Sequence, residues 1–251
     1  MAANPQFSGL HIGAILLTLL AFVLLLLLTA RTRAGRRPTA RPLPTFDRTP
    51  VELGRSAERG ASLHVVAGSA GIGGERTMAS LAALDVLDGL ADQAAAYGTP
   101  PVVTVGDPTM LPLAEDVLRR AHVRRGTPER YNPAMVRFVA THPAVYAAGA
   151  ADVTSHERVY GNVMVGSFDQ EASLVAHVAE VREQPQIAAV DRLGSLAALY
   201  PAVTSLAMGE EMYAAAARLA GRPHHLASLQ VQDVLRILVL VIIVLTVLGL
   251  F

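Results

Sequence analysis

The chain contains neither cysteine nor lysine, and neither charge is in excess. Without cysteine it can form no disulfide, no thiolate metal site and no cysteine nucleophile. Without lysine it lacks the Gly-Lys-Ser/Thr sequence of phosphate-binding loops. Its 21 basic and 21 acidic residues give a formal net charge of zero. Because nucleic-acid-binding domains usually carry a basic surface, this balance argues against nucleic acid as a partner.

Charge is also missing from two long apolar segments, residues 9–30 and 237–251. A helix needs about 20 apolar residues to cross a bilayer core of roughly 30 Å, and the first segment has that length. The second is shorter, but it is hydrophobic on every side, which is not typical of a surface helix of a soluble domain. We therefore predict a transmembrane helix at residues 9–30 and a juxtamembrane and transmembrane helix at residues 228–251. The alternative for the first segment, a cleaved signal peptide, is disfavoured because residues 1–8 contain no basic side chain.

Arginines next to these segments predict the orientation of the chain. They follow the first segment and precede the second: Arg31, Arg33, Arg36, Arg37, Arg41, Arg218, Arg222 and Arg236. Since positive flanks stay in the cytoplasm, we expect residues 1–8 outside and the central domain inside, in a two-pass protein of the cell inner membrane. The first cluster also suits anionic lipid headgroups, so the bilayer itself is an expected partner. Spans without ionisable residues are better anchors than transport paths, and we expect them to pack in a homo-oligomer or with other membrane subunits.

The region between the spans divides into a linker and a domain. Residues 31–60 form a basic, proline-rich linker, and the prolines within residues 38–60 predict extended backbone there. In residues 61–227, short β-branched runs alternate with alanine- and leucine-rich stretches of helical length, which is typical of α/β domains. We predict a Rossmann-like, mostly parallel sheet with helices on both faces, flanked by the two transmembrane helices. The predicted strands are 63–67, 102–105, 136–140, 162–165, 187–190 and either 197–200 or 203–206. The predicted helices are 75–97, 111–123, 142–151, 169–182 and 210–219.

Three of the predicted strands end in a glycine followed by a serine or an aspartate. Ligands of open parallel sheets bind at the carboxyl ends of the strands, where glycine allows close approach of the backbone. The candidate ligand-binding residues are Gly68, Ser69, Gly71, Gly73, Gly74, Gly106, Asp107, Gly166, Ser167 and Asp169. The alternative is that these are tight strand-to-helix turns, in which glycine is favoured without any ligand.

The first of these turns is the richest in glycine. The spacing of Gly68, Gly71 and Gly74 resembles the turn of some dinucleotide-binding Rossmann domains, in which a helix N-terminus holds a phosphate. Two features weaken this reading. Glu75 would repel a phosphate, and Asp107, the nearest candidate for a ribose-binding acid, lies 33 positions beyond Gly74. The sequence therefore identifies no cofactor.

No catalytic or metal-binding set emerges from the remaining motifs. The eight histidines lack a metal-binding spacing, and Ser69 and Ser167 lie outside any Gly-x-Ser-x-Gly sequence. Whether the chain is an enzyme stays open. The leading hypothesis is a membrane-anchored cytoplasmic module that acts as a scaffold or ligand-sensing subunit of a membrane assembly. The alternative is an enzyme or binding protein for a nucleotide-like or phosphorylated ligand at the strand-end turns.

Four stretches of the chain resemble an uncharacterised family of bacterial membrane proteins that carry a domain of unknown function. They are Val102–Thr109, Gly166–Phe168 with Glu171, Gly209–Ala215 and Gln232–Arg236. The resemblance implies a membrane location and an α/β domain, and it implies no activity.

Overall fold

A computed structural model describes residues 9–34 and 43–248, and within residues 9–12 only the backbone. The chain forms two compact units, one of Pro42–Ala220 and one of Met1–Arg41 with Gly221–Phe251. The elements, in chain order, are α1 (Gly9–Arg33), α2 (Pro44–Asp47), α3 (Thr49–Glu58), β1 (Ser62–Val66), α4 (Thr77–Tyr97), β2 (Val102–Val105), α5 (Met110–Arg124), β3 (Val136–Phe138), α6 (Pro143–His156), β4 (Val159–Gly166), α7 (Ala172–Val181), β5 (Gln186–Val190), α8 (Leu193–Leu199), β6 (Ser205–Met208), α9 (Glu210–Ala220) and α10 (Pro223–Val247). Two 3-10 turns, Pro128–Arg130 and Pro133–Met135, precede β3.

The sheet of the α/β unit has six parallel strands in the order β3-β2-β1-β4-β5-β6. The central strand is β1, in which Val65 pairs with Val103 of β2 on one side and with Val163 of β4 on the other. This is the strand order of a Rossmann fold, in which the winding direction reverses between β1 and β4. The predicted fold class is confirmed.

Helices cover both faces of the sheet, because alternate strand residues point to opposite sides. One core joins Val65, Val103 and Val163 to α3, α4, α5 and α9. The other joins Val66 and Met164 to α6, α7 and α8. Both faces are therefore buried, as expected for an all-parallel sheet.

A buried histidine interrupts the second core at the centre of the sheet. His64 of β1 is fully buried, with Nδ1 3.1 Å from Thr154 Oγ1 and Nε2 3.0 Å from Thr104 Oγ1. Burial lowers the pKa of His64 to about 3, so its ring is neutral in the folded domain at neutral pH. The sequence did not reveal this contact, because its partners lie 90 and 40 residues away.

The prediction of extended backbone is wrong for residues 44–58. These residues form α2 and α3, and Phe46 and Leu53 enter the first core. Pro44 and Pro50 occupy the first turns of their helices, where the missing N–H removes no hydrogen bond. The compact unit Pro42–Ala220 thus includes α2 and α3.

Other boundaries differ from the predictions by smaller amounts. Strand β4 begins at Val159 and α6 continues to His156, while β3 ends at Phe138. Of the two predicted sixth strands, residues 197–200 lie at the end of α8, and residues 203–206 overlap β6. The helix predicted at residues 169–182 is α7, which begins three residues later, at Ala172, with Glu171 as its N-cap residue.

Helices α1 and α10 of the other unit contact each other, and both are long and apolar enough to cross a membrane. Their apolar side chains are exposed along 15–27 of α1 and 237–247 of α10, a surface that suits lipid better than water. Helix α10 is continuous from Pro223, so the second candidate span is longer than the apolar segment of the sequence. Residues 1–8, predicted to be external, lie outside the described residues, as do Arg36, Arg37 and Arg41.

Candidate ligand site at the carboxyl edge of the sheet

The predicted turns come together at the carboxyl edge of the sheet, at the junction where the winding reverses. The loops after β1, β2 and β4 are joined there by main-chain hydrogen bonds. Ser69 N–H donates to Ser167 O over 3.0 Å, and Gly106 N–H donates to Gly68 O over 3.2 Å. The structure thus brings the three glycine turns into one surface.

Close packing of these loops explains three of the glycines without any ligand. A Cβ added to Gly68 would lie 2.8 Å from Ser167 O, and one on Gly166 would lie 2.8 Å from a main-chain oxygen just after β1. Both residues also have positive φ, +80° and +134°. A Cβ on Gly106 would lie 2.8 Å from the main chain of the β1 loop. Glycine is needed here so that one main chain can approach another.

Asp107 follows the end of β2, the position from which Rossmann proteins bind a ribose. Its distance from the glycine turn in sequence reflects the 21 residues of α4. In the structure its carboxylate lies against the turn, since a Cβ on Gly71 would be 2.2 Å from Oδ1. Oδ1 accepts the Thr109 N–H over 2.8 Å, and Ile72 N–H donates to Thr109 Oγ1 over 2.9 Å. The Asp107 carboxylate therefore holds Thr109, whose hydroxyl oxygen links the β2 loop to the β1 loop.

Gly73 and Gly74 differ from the other glycines predicted to bind a ligand, because a Cβ on either would meet nothing within 4 Å. They belong to a loop that borders an open cleft of about 390 Å³, the β1-loop cleft. Its lining residues are Ser69, Ala70, Gly71, Ile72, Gly74, Glu75, Arg76 and Asp107. Within the described part of the chain, no acceptor bonds the main-chain N–H groups of Ala70, Gly71, Gly74 and Glu75. These groups are available to a ligand.

An ion-pair clasp ties three loops together beside this cleft. The carboxylate of Asp169, in the loop after β4, forms an ion pair of 3.3 Å with Arg76, which precedes α4. It forms a second, shorter ion pair with Arg192, which follows β5. The main-chain N–H of Asp169 donates to Glu171 Oε1 over 3.0 Å. The three side chains of the clasp are 37 to 47% exposed, so each pair contributes at most about 1 kcal/mol. Neither arginine was predicted as a site residue, because neither stands in a sequence motif.

A second open cleft, of about 470 Å³, lies on the Arg192 side of the clasp. It is lined by Asp169, Gln170, Glu171, Arg192, Leu193 and Gly194. Each of the two clefts therefore presents two carboxylates and one guanidinium. This excess of negative charge opposes the binding of a phosphate.

No described side chain at this edge forms a nucleophile–base pair. Ser167 is buried, and its Oγ has no partner among the described residues. Tyr146 lies beneath Gly106 and donates its OH to Thr104 O over 3.0 Å, and burial raises its pKa. Neither side chain lines either cleft. Residues 9–34 and 43–248 also hold no group of three histidines or carboxylates placed to share a metal ion.

Comparison with known proteins identifies the family. A family model described as a domain of unknown function (DUF6754) matches residues 2–250. The chain belongs to this family. No curated protein and no solved structure matches it. The predicted resemblance to a family with a domain of unknown function is therefore confirmed. The resemblance rested on four stretches of sequence. Three of them contain or follow the end of a strand at the carboxyl edge of the sheet, namely those that begin at Val102, Gly166 and Gly209.

Proposed function

We propose that this member of the DUF6754 family is a membrane-anchored module whose α/β domain acts as a scaffold or ligand-sensing subunit of a membrane assembly. The supporting observation is that the junction between β1 and β4, where a Rossmann domain would hold its ligand, is closed. The chain's own main chain fills this junction, since Ser69 bonds Ser167 directly. The clasp around Asp169 adds a second link between the same loops. An edge linked in this way presents a fixed polar surface to a partner.

We further propose that the chain crosses the cell inner membrane twice, with the α/β domain in the cytoplasm. Arg31 and Arg33 in the last turn of α1 support this orientation, because basic flanks stay on the cytoplasmic side. Reporters of periplasmic location fused to either terminus should be active, and the same reporter inserted after Gly126, in an exposed turn, should be inactive. The opposite pattern would reverse the proposed orientation.

The second candidate function is binding, with or without catalysis, of a nucleotide-like or phosphorylated ligand in the β1-loop cleft. It is favoured by the free main-chain N–H groups at Ala70, Gly71, Gly74 and Glu75. It is opposed by the carboxylates of Glu75 and Asp107 in the same cleft. A thermal-shift screen of nucleotides and phosphorylated metabolites, on the full chain in a neutral detergent, separates the two functions. A ligand present at about a hundred times its Kd raises stability by about 2.7 kcal/mol, whereas a scaffold shows no shift.

A pair of glycine variants shows whether any ligand found in that screen lies in the β1-loop cleft. Gly74→Val should change the free energy of unfolding by no more than about 0.5 kcal/mol, since its Cβ meets nothing and its φ is not left-handed. It should nevertheless abolish binding by filling the cleft. Gly73→Val, at φ +103°, should cost about 1 kcal/mol or more through backbone strain alone. A ligand that still binds the Gly74→Val variant with unchanged affinity occupies another site.

Assembly with further subunits, either copies of this chain or other membrane proteins, is part of the proposal. The exposed apolar surfaces of α1 and α10 support it. Thr18 and Thr246 bond carbonyl oxygens of their own helices over 2.8 Å, so neither hydroxyl opposes helix packing in lipid. The mass of the detergent-solubilised protein, measured over a range of concentrations, tests this point, and a strict monomer would contradict a homo-oligomer.

A further inference from the structure

The clasp between the two clefts of the carboxyl edge holds two arginines on a single carboxylate. Arg76 Nη1 lies 3.3 Å from Asp169 Oδ2, and Arg192 Nη1 bonds Oδ1 of the same residue. The two arginines come from different loops, one before α4 and one after β5. Arg76 lines the β1-loop cleft, and Arg192 lines the second cleft. The Asp169 carboxylate therefore occupies a position at which guanidiniums from two separate loops converge.

The bonds to Asp169 leave most donors of both guanidiniums unused. A guanidinium has five N–H donors in a planar fork, which matches two oxygens of a carboxylate or a phosphate. In the part of the chain that the structure describes, Arg76 and Arg192 bond no acceptor other than Asp169. Each uses one nitrogen and one carboxylate oxygen. Both forks therefore retain donors for an oxyanion with more oxygens than a carboxylate has.

The clasp is accessible to solvent and to a ligand. The side chains of Arg76, Asp169 and Arg192 are 37, 41 and 47% exposed. Ion pairs exposed to this extent are weak, because water and salt screen both charges. A phosphate group carries about 1.5 to 2 negative charges and three acceptor oxygens. It can therefore form stronger bonds with the two guanidiniums than the single carboxylate does.

Neighbouring carboxylates limit how tightly a phosphate can bind. Glu171 lies beside the clasp, since its Oε1 accepts the Asp169 N–H over 3.0 Å. Glu75 and Asp107 line the β1-loop cleft. While the Asp169 carboxylate stays in place, negative charge exceeds positive charge in both clefts, so we expect the wild type to bind phosphate only at millimolar concentrations. Once that carboxylate moves away, the two guanidiniums outnumber the carboxylate of Glu171 at the clasp.

We infer that Asp169 is an internal competitor for an oxyanion site formed by Arg76 and Arg192, and that the phosphate group of a ligand displaces its side chain. The displaced carboxylate, already half-exposed, turns to solvent. The bond between Ser69 N–H and Ser167 O involves none of these side chains, so the junction stays closed during the exchange. The inference rests on the ligand-sensing form of the proposed function, because the exchange changes the charge of the edge presented to a partner.

Phosphorus NMR of inorganic phosphate, titrated with the full chain in a neutral detergent at constant ionic strength, tests the inference. We expect Asp169→Asn to bind phosphate about tenfold more tightly than the wild type, which corresponds to about 1.4 kcal/mol. Adding Arg192→Gln to this variant should remove the gain, because one of the two guanidiniums is lost. The single variant Arg192→Gln should bind phosphate more weakly than the wild type does.

Asp116→Asn is the matched control. Asp116 is 40% exposed and also pairs with two arginines, Arg119 and Arg120, but all three residues belong to α5 and line neither cleft. This variant should bind phosphate within about twofold of the wild type. A gain equal to that of Asp169→Asn would show a general attraction to unpaired arginines, and it would overturn the inference.

Two further results would overturn the inference: equal phosphate affinities of Asp169→Asn and wild type, or a gain that persists when Arg192→Gln is added. Neither result would contradict the scaffold, which depends on the closed junction and not on the clasp. Asp169 is half-exposed, so its variant should fold, and thermal unfolding without phosphate checks this. If Asp169→Asn does not fold, the wild type and the single Arg192→Gln variant decide. Equal affinities of these two, or no wild-type binding at millimolar concentrations, would overturn the inference.

Discussion

Replacing Gly68 with alanine should destabilise the α/β domain by about 3 kcal/mol or more, enough to unfold many domains. The new Cβ would lie 2.8 Å from Ser167 O, a main-chain atom that cannot rotate away. Alanine would also have to adopt φ +80°. Relief requires the β1 and β4 loops to separate, which breaks the bond between Ser69 N–H and Ser167 O. Denaturant unfolding of the full chain in detergent, followed by far-UV circular dichroism, measures the loss.

Gly54→Ala provides the control with the opposite sign. Gly54 lies inside α3, and its Cβ would meet nothing within 4 Å. Alanine there should stabilise the domain by about 0.5–1 kcal/mol through helix propensity. If Gly68→Ala unfolds at the same denaturant concentration as wild type, the loops at the junction are free to move apart. The junction could then open for a ligand, and the scaffold proposal would lose its main support.

The sequence located the strands because their signals are local. Strand β2 was predicted with its bounds at Val102 and Val105, and the ends of β1 and β5 were within one residue. Strand β2 is a run of four β-branched residues followed by Gly106. Strands β1 and β5 each contain two β-branched residues, and Gly68 and Asp191 end them within two residues. Helices α2 and α3 were missed for a local reason as well, since Pro44 and Pro50 occur equally in linkers and in first helical turns. Only the packing of Phe46 and Leu53 into the core distinguishes the two.

The site was predicted less completely, because its meaning depends on contacts that are distant in sequence. The glycine turns do meet at one edge, as the order of parallel strands requires. Glycine is required in these turns, however, because the main chain at residue 68 comes close to that of residue 167, and the main chain at residue 106 comes close to that of residue 69. Asp169 was chosen as a ligand residue, and the structure places it between Arg76 and Arg192. No spacing rule predicts that clasp, since its members are 93 and 23 residues apart.

The histidine at the centre of the sheet is bonded in a way that only the neutral ring satisfies. Thr154 donates its hydroxyl to Ala150 O over 2.9 Å, so it accepts from the Nδ1–H of His64. Nε2 then accepts from the Thr104 hydroxyl. A second ring proton would remove that acceptor and place a charge in the core. This explains in structural terms why the pKa of His64 falls to about 3 on folding.

Stability should therefore fall as the pH is lowered from 7.5 to 5. The unfolded chain protonates this histidine near its ordinary pKa of about 6.5, whereas the folded domain does not until about pH 3. Between these pH values the unfolded state binds one more proton than the folded state. The free energy of unfolding therefore falls by about 1.4 kcal/mol per pH unit, or by about 2 kcal/mol at pH 5. Urea unfolding at both pH values measures the loss, and His64→Gln should reduce it by that amount. The control is His156→Gln, because the His156 side chain is 75% exposed in the wild type; this variant should keep the wild-type pH dependence.

If His64→Gln is too unstable to measure, an NMR titration of the wild type decides the point. The ring resonances of His64 should stay those of a neutral imidazole at pH 5. A His64 ring that titrates near pH 6.5 would contradict the buried, neutral state.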